Sequence, residues 1–257
     1  MSNDQQRVAK LMAQRGMCSR REAERLIEVG AVLVDGQVVR TQGVKAAPDA
    51  EIRLSPHGSN RIQAHTSILL HKPMGIVSTQ PEDGQTAAWQ LLSSSSAHGR
   101  NDAQAVERVL AKPWTMAVCG RLDRDSRGLL ILTQNGVLAK TLTGSRGVEK
   151  RYLVSVDRHV NQEHLQRLRG EWSLDGHQLL PMRVEQAGPR RLRFVLREGR
   201  KHQIRRVCAE LELRVVDLLR EAIGPWSLGS LPEGKWSVID PQTVQRFIDE
   251  QHHGRGR

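Results

Sequence analysis

Gly120-Arg-Leu-Asp-Arg-Asp-Ser-Arg-Gly-Leu-Leu-Ile-Leu132 joins a charged loop to an apolar strand. The loop carries three arginines and two aspartates between glycines, and four apolar residues follow it without a break. A short apolar run bounded by turn residues is typical of a buried strand. Because a loop that enters such a strand can hold its side chains rigidly, Asp123 is the candidate functional carboxylate.

The charges around Asp123 allow two interpretations. Arg121, Arg124 and Arg127 should keep the carboxylate ionised, which suits a nucleophile and not a general acid. An ordinary salt-bridge cluster at a turn is the alternative, and spacing alone favours it. The loop by itself therefore nominates Asp123 without deciding what this residue does.

Four apolar runs predict strands over 68–70, 129–132, 152–156 and 192–196, and short helical stretches and turns separate them. The long gaps between some of these strands favour a mainly antiparallel mixed sheet over regular βαβ winding. The fold class is therefore α+β, and the larger domain is predicted to cover 67–250.

The N-terminal residues predict a compact helix-helix-hairpin module over 5–53. Apolar periodicity indicates a first helix over 5–14. The capping-box pattern Ser19-Arg-Arg-Glu22 opens a second helix, which ends near residue 28. Asp35-Gly36 then suits the tight turn of a hairpin.

The module is rich in cations, which suit phosphates spaced along an RNA backbone. A solvated helix face is the plainer explanation of such a pattern. The cations are Arg7, Lys10, Arg15, Arg20, Arg21 and Arg25.

Three other segments are distinguished by their composition. The polar, breaker-rich residues 54–66 predict a linker of moderate flexibility. Residues 93–112 combine a serine run with a helical pattern and are predicted to form a surface insertion. Asp240-Pro241 starts a last helix that runs to about residue 250, and 251–257 are expected to form a disordered basic tail.

The overall composition favours a polyanionic partner. The chain has 257 residues and a net charge of +11, and such an excess favours nucleic acid without telling RNA from DNA or from an anionic membrane. The cysteines Cys18, Cys119 and Cys208 form no CxxC pair, so neither a disulfide framework nor a metal site is expected. With no apolar signal or membrane segment, a cytoplasmic location is expected.

Motifs along almost the whole chain resemble one group of RNA pseudouridine synthases, which comprises the A type of the small ribosomal subunit, and the B, E and F types of the large one. The stretch GRLDRDSRGLLILTQNG resembles the family signature, and LLHKPMGIVST, EKRYLVSV and REGRKHQIRRVC resemble other family motifs in the same order. The N-terminal module resembles the S-four-type RNA-binding domain that these enzymes carry. The details are most similar to the F type.

The resemblance assigns roles residue by residue. It places the catalytic aspartate on Asp123, its partner tyrosine on Tyr152 and the arginine that pairs with the aspartate on Arg205. Arg121 then helps to displace the target base, and Ile204 contacts the substrate. The same resemblance, with the cationic pattern, gives RNA phosphate contacts to Arg200, Lys201 and Arg206.

The physical chemistry of Tyr152 and Arg205 agrees with these roles. Tyr152 is the single tyrosine of the chain, and its ring can stack on an extruded base. A half-buried aromatic residue on a strand is the alternative explanation. Arg205 can hold Asp123 through a bidentate pair, whereas a basic helix start solvated on one side is its alternative.

The implied reaction is isomerisation of uridine to pseudouridine without cofactor or metal. Asp123 acts at the sugar C1′, the freed uracil rotates, and its C5 bonds to C1′. The expected substrate is 23S large-subunit ribosomal RNA, with transfer RNA as a second candidate, and the expected enzyme is a monomer.

Two other functions compete with this one. A glycoside hydrolase would use Asp123 and Asp125 as acid and base, but the arginines keep both acids ionised and the chain has few aromatic platforms. A non-catalytic ribosome-assembly RNA-binding protein would use the same basic surfaces, but it has no need of the set Asp123, Tyr152 and Arg205.

Overall fold

The computed structural model describes residues 4–144 and 147–253. It shows the predicted α+β architecture, with a small N-terminal part followed by a larger domain built on one sheet. No helix within the described ranges is long and apolar enough to cross a membrane.

The N-terminal part packs two helices against short strands, as the sequence predicts. Val8, Leu11 and Met12 are all buried and form one face of the first helix. Asp35 and Gly36 both have positive φ values, 48° and 80°, which is the conformation of a tight hairpin turn. The elements are β1 (Gln6–Arg7), α1 (Val8–Gln14), α2 (Arg20–Glu28), β2 (Val32–Val34), β3 (Gln37–Val39), β4 (Lys45–Ala46) and β5 (Ile52–Leu54).

The predicted capping box of α2 is only half formed. The Ser19 hydroxyl accepts a hydrogen bond from the Glu22 backbone N–H at 3.3 Å. The Glu22 carboxylate does not return to Ser19 but accepts a hydrogen bond from Arg61 Nε at 3.0 Å. A buried carboxylate gains more from a guanidinium than from one backbone N–H, and this contact holds α2 against the segment after the module.

That segment, 54–66, was predicted as a flexible linker, and this prediction is wrong. It contains the helix α3 (Pro56–Gln63), which the Ser55 hydroxyl caps by accepting a hydrogen bond from the Gly58 backbone N–H. Proline at the first position of a helix loses no hydrogen bond. Residues that break a helix in its interior therefore start one here.

The larger domain continues the element order with eleven strands and five helices among the described residues. They are β6 (Ser67–Lys72), α4 (Ala103–Ala111), β7 (Ala117–Cys119), β8 (Arg127–Thr133), α5 (Gly136–Thr143), β9 (Lys150–Val156), α6 (Gln162–Leu168), β10 (Ser173–Leu174), β11 (His177–Gln178), β12 (Arg183–Gly188), β13 (Arg191–Leu196), α7 (Gln203–Ala209), β14 (Val215–Ile223), β15 (Trp226–Ser227), β16 (Trp236–Val238) and α8 (Pro241–His253). Short 3-10 turns cover Ala88–Leu91, Ser94–Ser96 and Pro113–Thr115.

Nine of these strands form one sheet in the order β12-β13-β9-β14-β8-β6-β16, with β7 beside β8 and β15 beside β14. Among the described strands of this sheet, β14 and β8 make the parallel pair, and the other pairings are antiparallel. The mainly antiparallel mixed sheet is therefore confirmed.

Apolar clusters cover both faces of the sheet. One face of β9 and β13 packs against α6 and α7. Alternate residues of β8 point to opposite sides, towards α5 and α8 on one side and towards α4 and Trp236 on the other. The alternation of a strand that is buried on both faces explains the unbroken apolar run after the charged loop.

The predicted insertion and tail differ from expectation. Within 93–112, Val109 is fully buried, and the Trp236 indole N–H donates to Ser93 O at 3.1 Å, so this segment is a layer of the core as well as surface. α8 continues to His253, so the predicted tail is helical over 251–253. Residues 254–257 of that tail lie outside the described residues.

Candidate active site

The loop that carries Asp123 is held by Ser78. The Ser78 hydroxyl is buried; it donates to Leu122 O at 2.6 Å and accepts from the Leu122 N–H at 2.8 Å. The Gly75 N–H donates to Arg124 O at 2.8 Å. The residues on both sides of Asp123 are thus fixed through their backbone to the turn that follows β6.

The end of this loop requires glycine at position 128. Gly128 has a φ of 113°, and a Cβ there would lie 2.5 Å from both the N and the O atoms of Arg220. No side chain fits at that distance, and positive φ is costly for residues other than glycine. Gly128 therefore allows the close parallel approach of β8 and β14.

Arg220 is the buried cation of the site, and the sequence interpretation did not identify it. Its side chain is 1% exposed and donates to Leu129 O at 2.7 Å, Gly120 O at 2.8 Å and Arg121 O at 3.4 Å. Arg220 thus ties both ends of the loop to β14. A buried arginine inside an apolar strand was the available signal.

Asp123 itself lies at the mouth of the cleft, with its side chain 36% exposed. Its Oδ1 is 3.5 Å from His202 Nε2, a contact that is an ion pair when the imidazole is protonated. His202 adopts a left-handed conformation at the start of α7. The residue nearest to Asp123 in charge pairing is therefore a histidine.

The predicted bidentate pair between Arg205 and Asp123 is not formed in the described structure. Arg205 Nη2 donates to Asp125 O at 2.8 Å and to Ser126 Oγ at 3.2 Å, and it is 3.4 Å from the Asp125 carboxylate. Arg205 leaves from α7 towards the far side of the turn. It supports the backbone behind Asp123 and not the carboxylate.

A cleft of about 690 Å³ opens beside Asp123. Tyr152 lines it from β9, Ile204 from the first turn of α7, and Arg121 from the loop. Tyr152 and Ile204 are 7% and 4% exposed. The structure thus brings four of the predicted residues, Asp123, Tyr152, Ile204 and Arg121, to one cavity.

The cleft is strongly cationic. Seven lysines and arginines but two carboxylates, Asp123 and Glu198, are among the described residues that line it. Lys72, next to this cleft, is fully buried. Burial, with a smaller contribution from the Arg220 charge, lowers the pKa of Lys72 to about 8, and the Asp123 charge opposes this.

The predicted phosphate contacts divide into free and occupied cations. Arg200 and Lys201 are exposed on the rim of the cleft. Arg206 makes a bidentate pair with Asp175 at 2.7 and 2.8 Å, so its cation is already neutralised. The cations of the N-terminal part are Arg7, Lys10, Arg15, Arg20, Arg21 and Arg25, all exposed except Lys10, which is partly buried.

Comparison with known proteins gives this geometry its context. The model of the RNA pseudouridylate synthase family matches residues 66–210, which include Asp123, Tyr152 and Arg205. The chain belongs to the RNA pseudouridylate synthase family. The model of the S4 domain matches residues 6–52. The protein is therefore an isomerase that converts uridine to pseudouridine in RNA, with an N-terminal RNA-binding domain.

Relatives of this synthase align over almost the full chain. It is 31% identical over 94% of its length, and over 78% of the relative, to the dual-specificity RNA pseudouridine synthase RluF of Escherichia coli K12. It is 32% identical to an uncharacterized RNA pseudouridine synthase of Aquifex aeolicus, over 91% of this chain and 90% of the relative. It is 29% identical to the ribosomal small subunit pseudouridine synthase A of Pseudomonas aeruginosa, over 93% of this chain and 98% of the relative.

A solved structure supports the fold of the synthase. A crystal structure of a pseudouridylate synthase superposes with a TM-score of 0.62 and 24% identity, over 93% of this chain and 98% of that one. At this identity the likeness establishes the fold, and the local chemistry of the cleft rests on the geometry above.

Proposed function

We propose that this synthase modifies one uridine of 23S large-subunit ribosomal RNA, with transfer RNA as the second candidate substrate. The similarity to a dual-specificity synthase at 31% identity favours this pair of substrates. The similarity to a small-subunit enzyme is slightly lower, at 29%. Base choice within the RNA depends on the shape of the loop that carries the uridine.

The carboxylate of Asp123 inside a cationic cleft is the observation that carries the proposal for the site. A flipped uridine enters beside Tyr152, and Asp123 acts at C1′ while the glycosidic bond breaks. Arg121, on the exposed part of the loop, occupies the space that the base leaves in the RNA. Ile204 packs against the inserted nucleotide from α7.

Arg205 and Arg220 act through the loop in this proposal. Arg205 holds the Asp125 and Ser126 backbone, and Arg220 holds Gly120 and Leu129. Together they fix where the Asp123 carboxylate can point, which is the requirement of a preorganised nucleophile. Arg200 and Lys201 contact phosphates at the rim.

The remaining predictions from the sequence belong to the same proposal. An S-four-type domain covers 5–53 and a catalytic domain covers 67–250, and the protein acts as a monomer in the cytoplasm. A non-catalytic assembly factor is not favoured, because the family match covers the segment that carries the candidate chemistry.

The test uses RNA labelled with tritium at uracil C5, since formation of the new carbon–carbon bond releases that hydrogen. Protein-free 23S RNA, 16S RNA and transfer RNA from cells that lack the enzyme are incubated separately with the protein. We expect release from 23S RNA and its mapping to one position. Release from 16S RNA alone would contradict the proposed target.

A further inference from the structure

Two cations lie on the floor of the cleft without a carboxylate. Lys150 is 8% exposed and Arg220 is 1% exposed. In the part of the chain that the structure describes, neither forms an ion pair with Asp or Glu. Buried charges without a counterion are costly, so the cleft is built to receive negative charge.

The hydrogen bonds separate the two cations. Arg220 directs its guanidinium at three backbone carbonyls. Lys150 Nζ donates to Val148 O at 3.1 Å, which uses one of its three N–H groups. Among the described residues no second acceptor contacts Lys150 Nζ, so this ammonium retains donors for a ligand.

The strand register directs Lys150 towards the reacting nucleotide. Lys150 and Tyr152 are two apart on β9, so their side chains share a face, and Arg220 lies opposite Tyr152 on β14. Lys150 Cε is 3.7 Å and Arg220 Nη1 is 3.8 Å from the place that a Cβ on Gly120 would take. The ammonium therefore lies behind the loop that carries Asp123.

Depth decides which part of a nucleotide reaches Lys150. The RNA backbone follows the rim, where Arg200 and Lys201 are exposed. Only a base turned into the cleft extends to the floor beside Tyr152. The partner of Lys150 is therefore a base oxygen and not a phosphate.

We propose that Lys150 donates a hydrogen bond to a carbonyl oxygen of the flipped uracil and stabilises the negative charge on the detached base. This proposal rests on the proposed roles of Asp123 and Tyr152. It makes Lys150 a catalytic residue that contacts substrate.

The electron balance shows when Lys150 acts. As the C1′–N1 bond breaks, its electron pair moves to uracil and spreads over N1 and the carbonyl oxygens, while Asp123 compensates the sugar. After rotation, C5 bonds to C1′, the C5 proton leaves, and N1 gains a proton. Lys150 keeps its own proton throughout, and a buried donor is most effective at the moment when the charge develops.

The reaction should therefore depend on the protonation of Lys150. Burial lowers the pKa of Lys150 to about 8, and the Arg220 charge contributes. Deprotonation removes the positive charge, so kcat/KM should fall as pH rises through about 8. Other charged groups that face this region are Arg121 and Asp123 on the loop, His202 before α7, Glu198 after β13, and Lys72 on β6.

The variants Lys150→Met and Lys150→Arg test the proposal. Lys150→Met should lower kcat/KM by about a hundredfold or more, with RNA affinity within about twofold of wild type because no phosphate contact is lost. Lys150→Arg remains charged at high pH. It should retain more activity than the methionine variant and lose the decline near pH 8.

The assay uses a mixture of protein-free ribosomal and transfer RNA labelled at uracil C5. A wrong target assignment then appears as product in another RNA and leaves the comparison of variants intact. Thermal unfolding of each variant establishes that it is folded, and if the methionine variant unfolds, the pH profile of Lys150→Arg decides.

Three outcomes would overturn the proposal. A rate that rises with pH through the same range would make Lys150 a base. A decline that persists in Lys150→Arg would assign it to another group such as Lys72, whose pKa is also about 8. A parallel loss of rate and RNA affinity in Lys150→Met would indicate a phosphate contact.

Discussion

Asp123 is the residue on which the chemistry depends, and Asp125 is its matched control. Asp123→Asn should lower pseudouridine formation by at least about a thousandfold, because an amide is not a nucleophile of comparable strength. RNA affinity should stay equal or rise slightly, since the cationic cleft loses one negative charge. Single-turnover tritium release and filter binding measure the two quantities.

The control separates the two carboxylates of the loop. The Asp125 side chain is 65% exposed and faces Arg205, away from the contacts of Asp123. Asp125→Asn should therefore retain activity within about threefold, as expected when an exposed ion pair is lost. An equal loss in both variants would mean that charge in the loop, and not a nucleophile, is what matters.

At the same scale, the sequence predicts some site residues better than others. Asp123 and Tyr152 belong to continuous motifs, so both were found. The pairing of Asp123 was wrong because Arg205 and Arg220 reach the loop from different elements, and their directions depend on tertiary packing. His202 lay inside a quoted motif, but nothing in the sequence indicated the left-handed conformation that turns it to Asp123.

At the scale of elements, the loop of Asp123 depends on the turn after β6. Ser78→Ala removes both hydrogen bonds to the Leu122 backbone. Leaving buried backbone groups unpaired should lower the free energy of unfolding by about 1–3 kcal/mol. Because the loop moves, kcat should fall more than KM rises; denaturant unfolding and steady-state kinetics measure these effects.

Ser95→Ala is the control for this change. Ser95 lies in an exposed 3-10 turn, and its hydroxyl contacts another exposed serine. Its replacement should leave stability within about 0.5 kcal/mol of wild type and kinetics unchanged. If Ser78→Ala behaved like Ser95→Ala, the hydroxyl would not be what positions the loop.

Elements also show where sequence patterns lose information. β6, β8, β9 and β13 were predicted because their apolar periodicity is plain. β14, the longest described strand, was missed because Asp217, Arg220 and Glu221 interrupt its apolar run. Those charges are tolerated because Asp217 pairs with Arg127 and Arg220 bonds to carbonyls, which are contacts that only the assembled sheet provides.

At the scale of the whole molecule, the net charge of +11 predicts salt-sensitive RNA binding, but individual cations differ in what they contribute. A cation that already pairs with a carboxylate releases few counterions when RNA binds, since its charge is compensated beforehand. The exposed cations of α2 and the occupied guanidinium of Arg206 are the two extremes. Composition alone does not distinguish them.

Arg20 and Arg21 are the cations to remove together. Both are exposed at the start of α2 and have no acidic partner among the described residues. The double variant Arg20→Ala with Arg21→Ala should weaken RNA binding and lower the slope of log K against log salt by about 2. It should leave the single-turnover rate at saturating protein nearly unchanged, because both residues lie in the N-terminal domain.

Arg206→Ala is the matched control on the catalytic domain. Its guanidinium is held by Asp175, so the variant also frees one carboxylate and the slope should change by less than about 0.5. Binding titrations across a salt series measure all three proteins. Equal slope changes for the α2 pair and Arg206 would mean that RNA displaces Asp175, and an unchanged slope in the α2 pair would place the RNA backbone away from that helix.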